Sequence, residues 1–468
     1  MASIGSEHAS RSRLLPRPSR LSVAGVIEWV RVVLTDGSDF SLARRLAGAA
    51  FLIRVAGAVL AFVSQIVLAR WLGSFEFGIY VYVWTWVLVI CGMVDLGLGS
   101  AAQRLIPEYL EHRHFALLRG FLRGSQWLAS FIATAVAIMA ALVVYGLSSH
   151  IGPSTVWPLY IACAVLPICG LGQVASGVAR SYGWVNLGLS PTYVLRQILL
   201  LALLGVAFVV GLPMNAAIAA LTAAAAWWAV TLGQWVVLER RLTKVVEPGP
   251  KAYAVRSWLS VSTPIFVVEA FFLLLTYADV LVLQIFRSPS EVGIYYAASK
   301  TMALVAFIYF SVAQTLAHKF AEYHVIGDRK RLADFLAIAV RMTFWPSLAA
   351  ILALLALGEP MLRMFGREFT SGYYLMFILA FGLLARASVG PAERLLNMLG
   401  ERRSCAVIYG GAFAINIGLC FILIPHLGAA GAAIANAITL ICESACLFLV
   451  AKQQLALHCF IFGGRKGR

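Results

Sequence analysis

Five bases stand where the surrounding sequence is apolar: Arg54, Arg196, Lys300, Arg341 and Arg386. A guanidinium or ammonium at the centre of a hydrocarbon layer costs about 2.5–3.5 kcal/mol on insertion scales. Five facing lipid would cost on the order of 12–18 kcal/mol, comparable to the whole stability of a domain. They must face water or paired acids. Acids at such positions are fewer: Glu269 and Glu443 lie deep in their runs, while Asp95, Asp279 and Glu393 lie nearer the ends. Clustered Arg and Lys draw phosphate or diphosphate, and Arg offers it a planar fork of donors. The five bases are therefore candidates for binding an anionic substrate. Glu269 and Asp279 are candidates for taking up a coupling proton or Na⁺. Each base also has a plainer reading, as an ion pair between helices or a side chain snorkelling to the interface. Lys300 and Arg341, nearest a boundary, are most open to it.

The spacing of their neighbours points to helix faces turned from lipid. Arg54, Ala58, Ala61 and Gln65 share one face, and Tyr296, Lys300, Ser311 and Gln314 another. Ser262, Glu269 and Thr276 form a third stripe with Asp279 slightly off it; Gly382, Arg386, Gly390, Glu393 and Asn397 form a fourth. Small and polar residues at this period mark helix–helix or cavity-facing surfaces. Pro167, Pro191 and Pro264 fall inside apolar runs, as hinges or as packing kinks.

The elements that must position these residues follow from composition. Of 468 residues 61% are hydrophobic and only 12% charged, with mean hydropathy +0.86. A soluble chain carries about twice that charge. Lipid must cover much of the surface, so the spans are helices or a closed barrel. The apolar runs are about 20 to 28 residues long, where a barrel strand needs only about ten. The expected fold is all-α and polytopic, with spans near 46–70, 77–102, 122–147, 156–178, 188–211, 214–238, 257–286, 291–317, 335–357, 371–396, 405–425 and 429–451.

Loop charge sets the orientation. Of 37 Lys and Arg, 28 fall on the side of the termini, and only Arg70, Arg287, Arg363 and Arg367 on the other. The positive-inside rule then places both termini in the cytoplasm. Most of the net charge of +16 is topology signal and not a nucleic-acid footprint, and it favours anionic inner-leaflet lipid. The expected layout is a basic cytoplasmic tail at 1–43, a six-helix lobe at 44–238, a cytoplasmic linker at 239–256, a second six-helix lobe at 257–455 and a basic tail at 456–468.

An internal repeat supports two lobes. E-x-G-I-Y occurs at Glu76, Gly78, Ile79, Tyr80 and again at Glu291, Gly293, Ile294, Tyr295, six spans later. Two halves in like orientation imply a pseudo-twofold axis along the membrane normal, a transporter architecture. The eight cysteines show no CxxC spacing and lie mostly in apolar runs, which favours small apolar packing over metal or disulfide. No metal or cofactor site is expected, and no constellation points to an enzyme.

LARWLGSFEFGIYVYV at 68–83, DLGLGSAAQRLIPEY at 95–109 and HLGAAGAAIANAIT at 426–439 resemble bacterial polysaccharide flippases. These belong to the multidrug/oligosaccharidyl-lipid/polysaccharide exporter superfamily. The resemblance extends over nearly all of 44–455. It implies a V-shaped pair of lobes around a cationic lumen, fitted by position by Arg54, Arg196, Arg341 and Arg386. It further implies movement of a polyprenyl-diphosphate-linked oligosaccharide across the cytoplasmic (inner) membrane, membrane lipids as partners, and other polysaccharide-assembly proteins nearby. Two readings compete. A cation-coupled drug exporter of the same fold needs an acidic lumen. A membrane glycosyltransferase or polymerase needs a D-x-D motif or a large outer loop, and the sequence offers neither.

Overall fold

The computed structural model describes residues 39–309, 311–312, 328–398, 402–454 and 457–461. Most of both expected tails, and Gln314 of the stripe through Lys300, lie outside the described residues. Every regular element among the described residues is helical. In chain order they are α1 (Asp39–Cys91), α2 (Leu98–Glu111), α3 (Phe115–Leu147) and α4 (Pro153–Ser181). Then come α5 (Val185–Val209), α6 (Ala216–Val245), α7 (Val255–Phe286) and α8 (Pro289–Tyr309). The chain ends with α9 (Arg329–Ala356), α10 (Gly358–Phe365), α11 (Tyr373–Val389), α12 (Ala392–Met398), α13 (Arg402–Leu427) and α14 (Ala429–Gln454).

Eleven of these segments are long and apolar enough to cross a bilayer. The first, Gly48–Cys91, has 44 residues, which at about 1.5 Å per residue is roughly twice the hydrocarbon thickness. It breaks at Gly73, whose φ of 75° only glycine adopts without strain. The segment is therefore two spans, and the total is the expected twelve.

Several boundaries differ from the sequence expectation. The second span ends at Cys91 instead of 102, because residues 92–97 form a turn with Leu96 and Gly97 at positive φ. The tenth span ends at Val389, where Gly390 and Pro391 stop the helix; Glu393 and Asn397 belong to the separate α12. α5 carries a π-helical turn over Pro191–Leu195, the outcome of a proline inside a span. α6 runs to Val245 and α7 starts at Val255, so the extended linker is shorter than expected. Arg119 on α3 holds it through Pro250 and Glu247 carbonyls, both at 3.0 Å.

The two E-x-G-I-Y copies play equivalent parts. Glu76 accepts a hydrogen bond from the Ala216 amide at the start of α6, at 2.7 Å. Glu291 accepts one from the Ala429 amide at the start of α14, at 2.6 Å. Each acid meets the positive end of its half's last helix. Gly78 and Gly293 bring the halves together: a Cβ on Gly78 would lie 1.7 Å from the Pro289 carbonyl oxygen, and one on Gly293 2.8 Å from that of Ser74. Across the same end Glu368 accepts from the Ser74 amide and hydroxyl, both at 2.7 Å.

The buried core divides accordingly. At this turn end one core takes side chains from both halves, with Phe77 against Phe369 at 5.7 Å and Phe62 against Phe365 at 5.7 Å. At the opposite, basic end there are two further cores, and only the start of α7 crosses between halves, where Trp258 packs on Phe121 at 5.3 Å. One centres on Phe121, Tyr109 and Trp258, the other on Leu336, Leu395 and Tyr409. Apart from the start of α7, the halves are thus joined at the turn end and part toward the basic end.

If the duplication is real at the level of energetics, Glu76→Ala and Glu291→Ala should each cost about 1 kcal/mol, the usual effect of a lost N-terminal cap. Thermal unfolding in detergent should show similar falls in Tm. Gly78→Val should cost more than either, because its side chain meets backbone. A Gly78→Val protein as stable as wild type would contradict the close crossing.

Candidate functional site

The splayed halves enclose a cavity of about 580 Å³. α1 ends at its wall, and the turn after it presents Asp95. The sequence folds locally around that acid: its carboxylate accepts from the amides of Gly97 (3.2 Å) and Gly99 (3.0 Å), opening α2. Ser100, one turn on, donates to Glu269 of α7 at 2.7 Å. α4 contributes Gln173 and Arg180, α5 Arg196, and α6 Trp227 and Gln234. The second half adds Tyr309, Arg386, Glu393, Arg394 and Tyr409. The wall is thus mixed in charge, with four Arg against three acids.

A deeper chamber of about 270 Å³ lies toward the turn end. It is lined by Ala58, Ala61, Gln65, Tyr80, Trp84, Arg196, Gln197, Tyr296 and Lys300, among others, and, among the described residues, by no carboxylate. Arg196 lines both spaces. Its guanidinium carbon stands 4.0 Å from the Trp227 ring centroid. The Lys300 ammonium stands 5.2 Å from the Tyr277 ring and 4.9 Å from Tyr296. Such cation–π contacts are worth about 0.5–2 kcal/mol and leave the charge intact. They hold two bases inside the protein, with no direct ion pair to either among the described residues.

A third space of about 320 Å³ lies within the second half, lined by Lys300, Thr343, Ser347, Asn416, Thr439 and Glu443 among others. Arg386 stands between it and the central cavity. Its guanidinium donates to Glu443 at 2.8 Å and lies 3.7 Å from Glu393. The helix break at Gly390 separates Arg386 and Glu393 in the chain yet leaves them in reach of each other.

The five bases singled out by sequence do not meet in one place. Arg196, Lys300 and Arg386 face the cavities; Lys300 is turned inward and does not snorkel. Arg54 is exposed, one turn beyond the chamber wall that Ala58, Ala61 and Gln65 build, with its guanidinium carbon 5.9 Å from the Tyr193 ring. Arg341 is exposed on α9 and lines none of these cavities. Of the two acids offered for ion coupling, Glu269 faces the central cavity. Asp279 is 2% exposed and ties the second half together. It accepts from the Tyr295 hydroxyl, from Asn436 Nδ2 at 3.2 Å and from the Val280 amide at 2.8 Å. The repeat therefore diverges at its tyrosine: Tyr295 serves Asp279, while Tyr80 lines the deep chamber and stacks on Trp84.

Sequence reasoning missed Arg180 and Arg394, counted there as loop bases, and Gln173 and Gln234. It also missed a disulfide. Cys91 and Cys169 are bonded, with Cα atoms 5.3 Å apart, joining α1 to α4 at the cavity wall. They lie 78 residues apart with no spacing motif, so only helix packing shows the pair.

Comparisons with known proteins bear on this fold. The chain is 14% identical to a multidrug resistance MATE family transporter of the MOP superfamily in its inward-facing conformation, with a TM-score of 0.69 over 92% of this chain and 98% of that one. It is 15% identical to the lipid II flippase MurJ in an inward closed conformation, with a TM-score of 0.68 over 86% and 87%. These likenesses establish the fold. A probable low-salt glycan biosynthesis flippase, Agl15 of Haloferax volcanii, is 22% identical over 83% of this chain and 79% of its own length. A family model described as polysaccharide biosynthesis protein matches residues 45–321, more than half of the chain. With that match and a twelve-span fold of the MOP type, the chain belongs to the polysaccharide biosynthesis protein family.

Proposed function

We propose that this protein is a flippase that moves a polyprenyl-diphosphate-linked oligosaccharide from the inner to the outer leaflet of the cytoplasmic membrane. The observation that supports the reading is the deep chamber: two bases, Arg196 and Lys300, held by aromatic rings, and among the described residues no carboxylate on its wall. A diphosphate suits that seat, since charge-assisted hydrogen bonds to Arg and Lys are strong where water is excluded. The wider cavity, with Gln173, Gln234, Glu269 and Trp227, offers hydroxyl partners and an aromatic surface for sugars. The lipid tail would trail in the bilayer. The named activities of Agl15 and MurJ support the same class.

With the basic end in the cytoplasm, as loop charge requires, the halves splay inward and close outward, and both termini are cytoplasmic. In this reading the six-helix halves are the two moving bodies. Their substrate comes from, and is passed to, other polysaccharide-assembly proteins. A drug exporter for organic cations would need acids where this chamber has bases.

Arg196→Gln and Lys300→Gln should each lower polymer export at least about tenfold, the scale of one lost charge-assisted hydrogen bond. Lipid-linked intermediates should accumulate behind the block, as read by thin-layer or mass analysis of extracted lipid. Arg341→Gln should leave both unchanged. Normal export in the Arg196 and Lys300 variants, or a loss of drug resistance with polysaccharide intact in a deletion strain, would contradict the reading.

A further inference from the structure

Arg386 is not a free base awaiting substrate. It donates from Nη1 to Glu443 Oε1 at 2.8 Å, lies 3.7 Å from Glu393, and has the Tyr309 ring 5.3 Å from its guanidinium carbon. One cation is shared by two acids. Glu443 is 1% exposed, and its second oxygen, Oε2, is buried with no hydrogen-bond partner. A buried carboxylate with one oxygen unmet is costly, and a proton on that oxygen relieves the cost. Glu443 lines the 320 Å³ chamber with Thr343, Ser347, Asn416 and Thr439, a space polar and roomy enough for several waters at about 30 Å³ each. Arg386 lines that chamber on one side and the central cavity on the other.

The other acids of this half are differently placed. Asp279 accepts three hydrogen bonds, so its charge is already met. The groups facing Glu443 are Arg386 on α11, Glu393 on α12, Tyr309 on α8 and Tyr409 on α13. On the same chamber α8 also presents Lys300, α7 presents Thr276 as its polar group, and α9 presents Thr343 and Ser347.

We propose that Glu443 exchanges a proton for its hold on Arg386, and that the released guanidinium then binds the diphosphate of the substrate in the central cavity, on its way to the Arg196–Lys300 chamber that opens from it at Arg196. The second clause rests on the flippase reading above. The balance is simple. A proton adds to the carboxylate of Glu443, the Arg386–Glu443 ion pair is lost, and an Arg386–phosphate pair replaces it. Loss of the proton restores the internal pair and frees the anion. Proton uptake and substrate grip are thereby linked through one arginine, and Glu443 is a positioning residue that never touches substrate.

Two measurements on the purified full-length protein test this. The first is infrared difference spectroscopy of buried carboxyl groups between about pH 5 and about pH 9. A carboxyl band should titrate in wild type, vanish in Glu443→Gln and persist in Glu443→Asp, which guards against misfolding. In Arg386→Gln it should move to higher pH, because the cation that favours the ionised form is gone. The second is binding of undecaprenyl diphosphate by native mass spectrometry. Glu443→Gln should bind it about tenfold tighter than wild type near pH 8, a gain of about 1.4 kcal/mol, and the ratio should fall toward one near pH 5. A band that survives Glu443→Gln, or equal binding by the two proteins near pH 8, would overturn the proposal. If the band behaves as stated while wild type binds no undecaprenyl diphosphate at any pH, the proton exchange at Glu443 stands and the lipid-diphosphate reading fails.

Discussion

A fixed positive charge cannot be left against hydrocarbon, and the arrangement of this protein follows from where its bases are allowed to go. Arg196 and Lys300 sit near the middle of α5 and α8 and are turned to the interior under aromatic rings. Ring faces supply attraction without a counter-charge, so the bases stay available to an anion. Arg386 meets the same constraint by another means, with Glu443 and Glu393 around it. These are two electrostatic solutions inside one lumen. The unpaired bases suit binding, and the paired one suits exchange.

Keeping bases from lipid requires an enclosed space, and two halves that meet mainly at one end enclose it. The E-x-G-I-Y turns provide the contact. Their glycines admit the opposing backbone and their glutamates cap α6 and α14, so a single short motif sets both the meeting point of the halves and the last helix of each. The shared aromatic core behind them closes that end, while at the basic end only the start of α7 packs across, through Trp258, and the cavity lies between the rest of the two halves. The resemblance motif HLGAAG falls at this junction because Ala429 is the residue that Glu291 caps.

Much of this fold was legible in the sequence. Bilayer thickness imposes a span length, and alternation of loop charge checks the count, so twelve spans and two halves could be read directly. What hydropathy averages over was not legible. The breaks at 92–97 and at Gly390 lie inside apolar runs, and their signals were local: Asp95 spaced to cap two glycine amides, and a glycine followed by Pro391. The site was half legible. Depth in a run is visible in sequence, but facing is not fixed by depth. The stripe through Ala58, Ala61 and Gln65 does line the deep chamber, while Arg54, one turn farther along it, is exposed. Counting bases by side hid Arg180 and Arg394, since a residue at the end of a span counts as loop whether it faces solvent or a cavity. The Cys91–Cys169 bond depends wholly on the packing of α1 against α4.

The central claim is that the anion of the substrate rests between Arg196 and Lys300. The most direct measurement is photo-crosslinking with a polyprenyl diphosphate that carries a diazirine next to the phosphates, followed by mass-spectrometric mapping of the labelled peptides. The account expects labels on α5, α6 and α8 around Arg196, Trp227 and Lys300, competed by unlabelled lipid diphosphate. Labels confined to the exposed face of α9 around Arg341, or spread evenly over lipid-facing helices, would contradict it.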